Sequence, residues 1–158
     1  MSKEKLYLDS CIFVEYFDEN SPRHNQIKYF FKRLGQTGKF AIASHHWALV
    51  EMTKVLTRKG FSEEKILKFT EKLLRKRRLD DNKIEWLPES PKKNYDFDDF
   101  FYDLQENLLE FKKHLADTIH ITILMNHNIK YIATFNVEDF EGIDNLTVVD
   151  PRDIDNYL

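Results

Sequence analysis

Short apolar runs alternate along this chain with longer stretches in which apolar residues recur every three or four positions. Residues 6–8 read as a buried strand, followed by a helix from near Ser10 with Ile12, Phe13, Tyr16 and Phe17 on its apolar side. Ser21 and Pro22 predict a helix start, serine as N-cap and proline at the first helical position. Ile27, Phe30, Phe31 and Leu34 continue that helix to a stop near Gly35. Residues 39–43 (KFAIA) form a second strand, and Ser44 caps a helix carrying Trp47, Val50, Glu51 and Val55 that ends around Gly60. Ser62 opens another helix, with Ile66, Phe69, Leu73 and Leu74 inward and a basic end at Arg75, Lys76, Arg77 and Arg78.

Residues 84–87 read as a third strand, and 88–94 as a polar loop with two prolines. Phe97, Phe100, Phe101, Leu104, Leu108, Phe111 and Leu115 keep helical spacing, which leaves the break before the next helix open. That next stretch, 113–125 (KHLADTIHITILM), reads as a buried helix whose face is Leu115, Ile119 and Ile123, widened by Ile121 and Leu124. Residues 130–134 and 146–149 are further strands. Strands alternating with helices imply an α/β domain of three layers: a mainly parallel central sheet with helices on both faces. In such sheets, sites form outside the carboxyl ends of the strands.

Composition narrows the class. At 158 residues, with 42% hydrophobic and 32% charged residues, the chain suits one globular domain over 1–158. Four glycines and four prolines leave little room for flexible linkers. The single cysteine, Cys11, excludes an internal disulfide and fits a reducing compartment. The N-terminus shows no signal-peptide pattern, and no apolar run approaches the ~20 residues of a membrane span. The expectation is a soluble cytoplasmic protein with no membrane association. A net charge of −3 argues against a generally basic coat, but local patches leave nucleic acid open as a partner.

The candidate chemistry lies in three acids. Asp9 ends the first strand, Glu51 sits inside a helical run, and Asp117 lies beside the apolar face of 113–125. A carboxylate in such a setting is costly unless it is paired or coordinates something. Several together repel one another unless a cation joins them. Mg2+ and Mn2+ favour carboxylate, carbonyl and water oxygens, and such ions supply the activated water and charge relief that phosphodiester hydrolysis needs. Plainer roles exist for each residue. Asp9 could cap the helix from Ser10, Glu51 could pair with Lys54, Asp117 could contact His114 or His120, and Asn136 could cap a short helix containing Glu138 and Asp139.

Taken in order, the segments LYLDSCIFVEYF, SHHWALVEMTKVL, HLADTIHITILM and IATFNVEDF resemble the PIN-domain family of metal-dependent ribonucleases, especially the toxins of toxin–antitoxin pairs. The resemblance covers roughly 5–57 and 114–149, and the intervening 58–113 looks longer than in compact toxins. It implies a PIN-like fold, with Asp9, Glu51 and Asp117 as catalytic metal ligands for Mg2+ or Mn2+. The family's fourth acidic position falls on Asn136, which lacks the charge, and nearby Asp139 is a candidate to compensate. Ser10 and Thr134 match supporting hydroxyl positions. The implied activity is endoribonuclease hydrolysis of RNA by activated water, leaving a 5′-phosphate and a 3′-hydroxyl. The implied partners are RNA, a cognate protein antitoxin that blocks the site, and a second copy in a homodimer. Two other roles stay open: a nuclease of RNA processing or decay, and a PIN-like binding scaffold without catalysis.

The remaining features are weaker. His45, His46, His114 and His120 invite a zinc reading, but adjacent His45 and His46 point to different sides of a helix and no thiolate pair completes a structural site. Arg75 and Arg77 are candidates for RNA phosphate contact, against a solvated helix end. The aromatic residues at 95–102 fit core packing or a groove for a partner helix better than base stacking. Asp96, Asp98, Asp99 and Asp103 would repel RNA there and suit a basic protein partner.

Overall fold

Leu6, Tyr7 and Leu8 are all fully buried, so their strand shows an unbroken apolar run rather than alternation, as expected where both faces of a sheet are covered. The structure, a computed structural model, describes residues 3–158. The strands are β1 (Glu4–Leu8), β2 (Phe40–Ser44), β3 (Arg78–Leu79), β4 (Asn82–Trp86), β5 (Tyr131–Ala133) and β6 (Thr147–Val149). The helices are α1 (Ser10–Phe17), α2 (His24–Thr37), α3 (His46–Arg58), α4 (Glu63–Lys76), α5 (Phe97–Phe111) and α6 (Leu115–Asn126), with 3₁₀ turns at Val137–Asp139 and Pro151–Tyr157.

The strands lie in the order β3-β4-β2-β1-β5-β6. Every neighbouring pair is parallel except β3–β4. Leu6 and Leu8 pack into a core with residues of α1, α2, α3 and α4, whereas Tyr7 and Ala43 face a second core built on Ile121, Ile123 and Leu124 of α6. The result is the three-layer α/β arrangement expected from the alternation. The chain leaves β1 toward β2 on one side and later returns to β5 on the other. The crevice at the carboxyl ends of β1 and β5 is therefore the switch point of the sheet, where ligand sites form.

Several local expectations are corrected. The helix after Ser21 and Pro22 begins only at His24 and has no side-chain cap. Ser21 instead donates its hydroxyl to Glu15, and its oxygen accepts the Arg23 N–H in a preceding turn. α2 passes through Gly35 and ends at Gly38, whose left-handed backbone (φ +61°) suits a residue without Cβ and lets its N–H reach Leu34 O. Ser44 belongs to β2 and donates to Leu8 O at 2.8 Å; the cap of α3 is His45, whose Nδ1 accepts the Trp47 N–H.

The segment 58–113 supplies all of α4, the β3–β4 hairpin and α5. α5 stops at left-handed Lys112, which separates it from α6. Its apolar pattern is divided: Phe100, Leu104, Leu108 and Phe111 form a half-buried face, with Phe100 and Phe111 against the second core. Phe97, Phe101, Tyr102 and Leu109 are exposed, and buried Asn107 donates to Thr122 Oγ1 of α6 at 2.9 Å. Among the described residues no helix is long and apolar enough to cross a membrane.

Candidate metal centre

Asp9 follows β1 directly and starts α1. Its Oδ1 accepts the Ser10 N–H at 2.7 Å, and its Oδ2 accepts the Thr134 hydroxyl at 2.7 Å. Capping and membership of an acidic cluster are thus not alternatives here, because the two oxygens divide the work. Asp9 is buried, and Thr134, at the end of β5, is fully so. Ser10 Oγ lies 3.5 Å from Asp9 Oδ1, a weak contact beside the stronger backbone bond.

Glu51 comes from the second turn of α3 and reaches the same crevice. It is hydrogen-bonded to His120 Nε2, a closer interaction than the surface pair with Lys54 allowed by the spacing. His120 Nε2 also lies 3.5 Å from Asp9 Oδ1, and His120 Nδ1 lies 2.6 Å from the Tyr7 hydroxyl. One ligand atom each from Asp9, Glu51 and His120 falls within 4.8 Å of the others, the one such grouping found among the described residues. His45, His46 and His114 are not part of it.

Asp117 stands in the first turn of α6, one turn before His120 on the same face. Its carboxyl is pushed up to about 6 by burial first, then by the charges of Asp139, Asp9 and Glu51. Such repulsion marks a site with more negative charge than the protein neutralises. His120 offsets part of it. Burial alone would lower the imidazole pKa, but the Glu51 hydrogen bond and the charges of Asp9, Glu51 and Asp117 outweigh burial and raise it. A hard divalent cation fits this donor set on charge and on ligand type.

The other expected residues divide. Asp139 is close enough for its charge to act on Asp117. Asn136 is exposed at the crevice mouth, its backbone N–H donating to Thr134 Oγ1 at 3.0 Å. It precedes the Val137–Asp139 turn without a side-chain capping bond, so the plain capping role does not account for it. Arg75 and Arg77 are not brought to the acids. They flank the start of β3 at the sheet edge, three strands from β1, or about 14 Å at the usual strand spacing. Arg75 pairs with Glu71 on its own helix at 3.2 Å.

Tyr7 escaped the sequence reading altogether, and His120, read there only as a contact of Asp117, bonds Glu51 and approaches Asp9 instead. The signal for His120 was present: a histidine three positions after Asp117 within an apolar helix needs a polar partner once buried. Its partners, however, lie 69 and 113 positions away. Cys11 lies beside Asp9 and Thr134, and burial together with the Asp9 charge pushes its thiol well above the ordinary value. It therefore remains a protonated thiol rather than a nucleophile. Burial lowers the His45 imidazole to about 4, against the opposing charge of Glu89, so His45 caps α3 as a neutral ring.

No protein-family model and no curated protein matches the chain in sequence. Solved structures match in shape. VapBC2 of Rickettsia felis, bound to a DNA fragment from its promoter, aligns with 91% of this chain and 96% of its own at 17% identity and a TM-score of 0.60. FitAcB of Neisseria gonorrhoeae aligns with 92% and 97% at 12% identity and a TM-score of 0.55. VapC20 of Mycobacterium tuberculosis, a toxin that cleaves the sarcin-ricin loop, aligns with 89% and 92% at 14% identity and a TM-score of 0.52.

The fold is PIN-like.

Within this PIN-like fold, α1 and α3 begin at the carboxyl ends of β1 and β2, and α6 begins at the same end because it runs back toward β5. Three helix N-termini thus open toward the crevice, where their partial positive charge favours anions.

Proposed function

We propose that this chain is a divalent-metal-dependent endoribonuclease that hydrolyses RNA phosphodiester bonds in the cytoplasm as the toxin of a toxin–antitoxin pair. The observation that carries the proposal is the convergence of Asp9, Glu51 and His120 from three separate elements, with Asp117 repelled beside them. Asp9, Glu51 and Asp117 are the carboxylates that would hold Mg2+ or Mn2+. The ion, when bound, supplies activated water and charge relief on the scissile phosphate.

The chain's own residues do the positioning. Thr134 and the Ser10 N–H fix both Asp9 oxygens, so this carboxylate keeps one orientation without a ligand. Asn136 offers an uncharged amide at the crevice mouth, suited to a phosphate oxygen or a water that a fourth carboxylate would repel. Asp139 supplies the negative charge that Asn136 lacks. Arg75 and Arg77 would act at a distance from the reaction, on phosphates further along the RNA.

The shape shared with VapC20, described as a toxin that cleaves the sarcin-ricin loop, supports both an RNA substrate and the toxin role. A protein antitoxin and a homodimer belong to the same proposal. The outer side of α5, with exposed Phe97, Phe101 and Tyr102 among Asp98, Asp99 and Glu106, suits a basic protein partner better than RNA.

The test is incubation of the pure protein with total cellular RNA in Mg2+ or Mn2+, beside chelator and Asp9→Ala controls. Discrete products bearing 5′-phosphates, lost in both controls, are expected. Ion binding to the folded protein with no cleavage of any RNA would overturn the nuclease and leave a PIN-like binding scaffold.

A further inference from the structure

The carboxylates of this centre have an uninvited neighbour. His120 is fully buried, so its ring cannot swing out to solvent when an ion arrives. Its Nε2 is hydrogen-bonded to Glu51 Oε1 and lies 3.5 Å from Asp9 Oδ1, and one atom from each residue lies within 4.8 Å of the others, close enough to share a single cation. Either the imidazole excludes the ion or it joins the ligands.

We propose that His120 Nε2 is itself a metal ligand, forming with Asp9 and Glu51 a mixed carboxylate–imidazole set that selects Mn2+ over Mg2+. This rests on the metal-site reading above and adds a nitrogen donor to it. Mg2+ demands near-ideal octahedral oxygen coordination and gives up its waters reluctantly. Imidazole suits transition ions, and a borderline nitrogen donor therefore tilts an otherwise hard site away from Mg2+.

Tyr7 supplies the support that a ligating histidine needs. Its hydroxyl faces His120 Nδ1 at 2.6 Å, and burial, followed by the charges of Asp9 and Glu51, keeps the phenol protonated. A phenol can donate or accept. Without an ion, Nε2–H donates to Glu51, and Nδ1 meets the hydroxyl as a donor when the ring is charged or as an acceptor when it is neutral. With an ion, Nδ1–H donates to the phenol oxygen and the Nε2 lone pair faces the metal. The hydroxyl thus accommodates both tautomers without movement of the buried ring, and in the second it orients the ligand as outer-sphere partners commonly do.

Electron spin-echo spectroscopy of Mn2+ bound to the wild-type protein tests this directly, with equilibrium binding of Mn2+ and competing Mg2+ measured alongside. A nitrogen coupling that changes on 15N-histidine labelling is expected. His120→Gln should abolish that coupling and lower the Mn2+/Mg2+ affinity ratio about tenfold or more. Tyr7→Phe should keep the coupling while weakening Mn2+ by about 10- to 100-fold. Mn2+ bound without nitrogen coupling would overturn the role of His120 and leave the carboxylate centre standing. No binding of either ion to the folded wild type would overturn both. The wild-type spectrum decides the question even if His120→Gln fails to fold.

Discussion

The Thr134 hydroxyl donates to Asp9 Oδ2 at 2.7 Å, tying the end of β5 to the end of β1 across 125 positions of sequence. The same hydroxyl oxygen accepts the Asn136 N–H, so one side chain sets both an acid of the crevice and the loop at its mouth. Thr134→Val keeps the shape but leaves that buried carboxylate oxygen with only the weak Cys11 thiol contact. The expected cost is about 1–3 kcal/mol, read from urea unfolding, with Thr134→Ser close to wild type. Equal stability of the valine variant would show that water replaces the hydroxyl.

Asp117 gives a pH dependence of defined sign. Its carboxyl titrates near 6 in the folded protein and near 4 when unfolded, so between those values the folded state binds more protons. Stability of the metal-free protein should therefore fall as pH rises from about 4 to about 6, and stay at the lower level above that. Thermal unfolding across this range should show a flatter profile for Asp117→Asn, and added Mn2+ should raise the neutral-pH stability of wild type more than that of the variant. The same substitution should abolish RNA cleavage while the fold persists. Parallel pH profiles for the two proteins would place the repulsion elsewhere.

The attachment of α5 gives a third test. Asn107 is buried and donates to Thr122 Oγ1, whose own hydrogen goes to Thr118 O. Asn107→Ala removes the polar tie and opens a small void, at a cost of about 1–3 kcal/mol. Hydrogen exchange should accelerate in α5 before it does in β1. Uniform acceleration along the chain would mean that α5 unfolds only with the sheet.

Arg75 and Arg77 bear on substrate reach rather than on chemistry. Replacing both with alanine should lower the slope of log affinity against log salt by about one to two for RNA, without moving the cleavage position. An unaltered slope would reduce the basic run to a solvated helix end.

The fold was legible because its strands are short apolar runs and its main helices carry periodic faces, signals that depend only on neighbours in sequence. Asp9 and Asp117 were legible for the same reason: each is a carboxylate set against an apolar element. The helix starts were read less well. Ser44 and Ser21 have the chemistry of caps, but a strand claimed the first and a turn with Glu15 the second. α5 was read only in half, since Phe100 and Phe111 pack on the core while Phe97 and Phe101 lie on the outside. The Tyr7–His120–Glu51 chain was illegible because it joins β1, α6 and α3, and only the layering of the sheet sets that distance.

The rims of the sheet carry a last consequence. One is β3, two residues long, with left-handed Arg77 before it and Lys83 opposite Arg78. The other is β6, three residues long and followed by Pro151, which has no N–H to offer. Neither rim exposes a run of backbone donors and acceptors long enough to template an incoming strand. Short rims of this kind work against edge-to-edge polymerisation and against capture by a peptide that extends the sheet. Side chains on its helices and inside the crevice are the surfaces that this leaves for recognition.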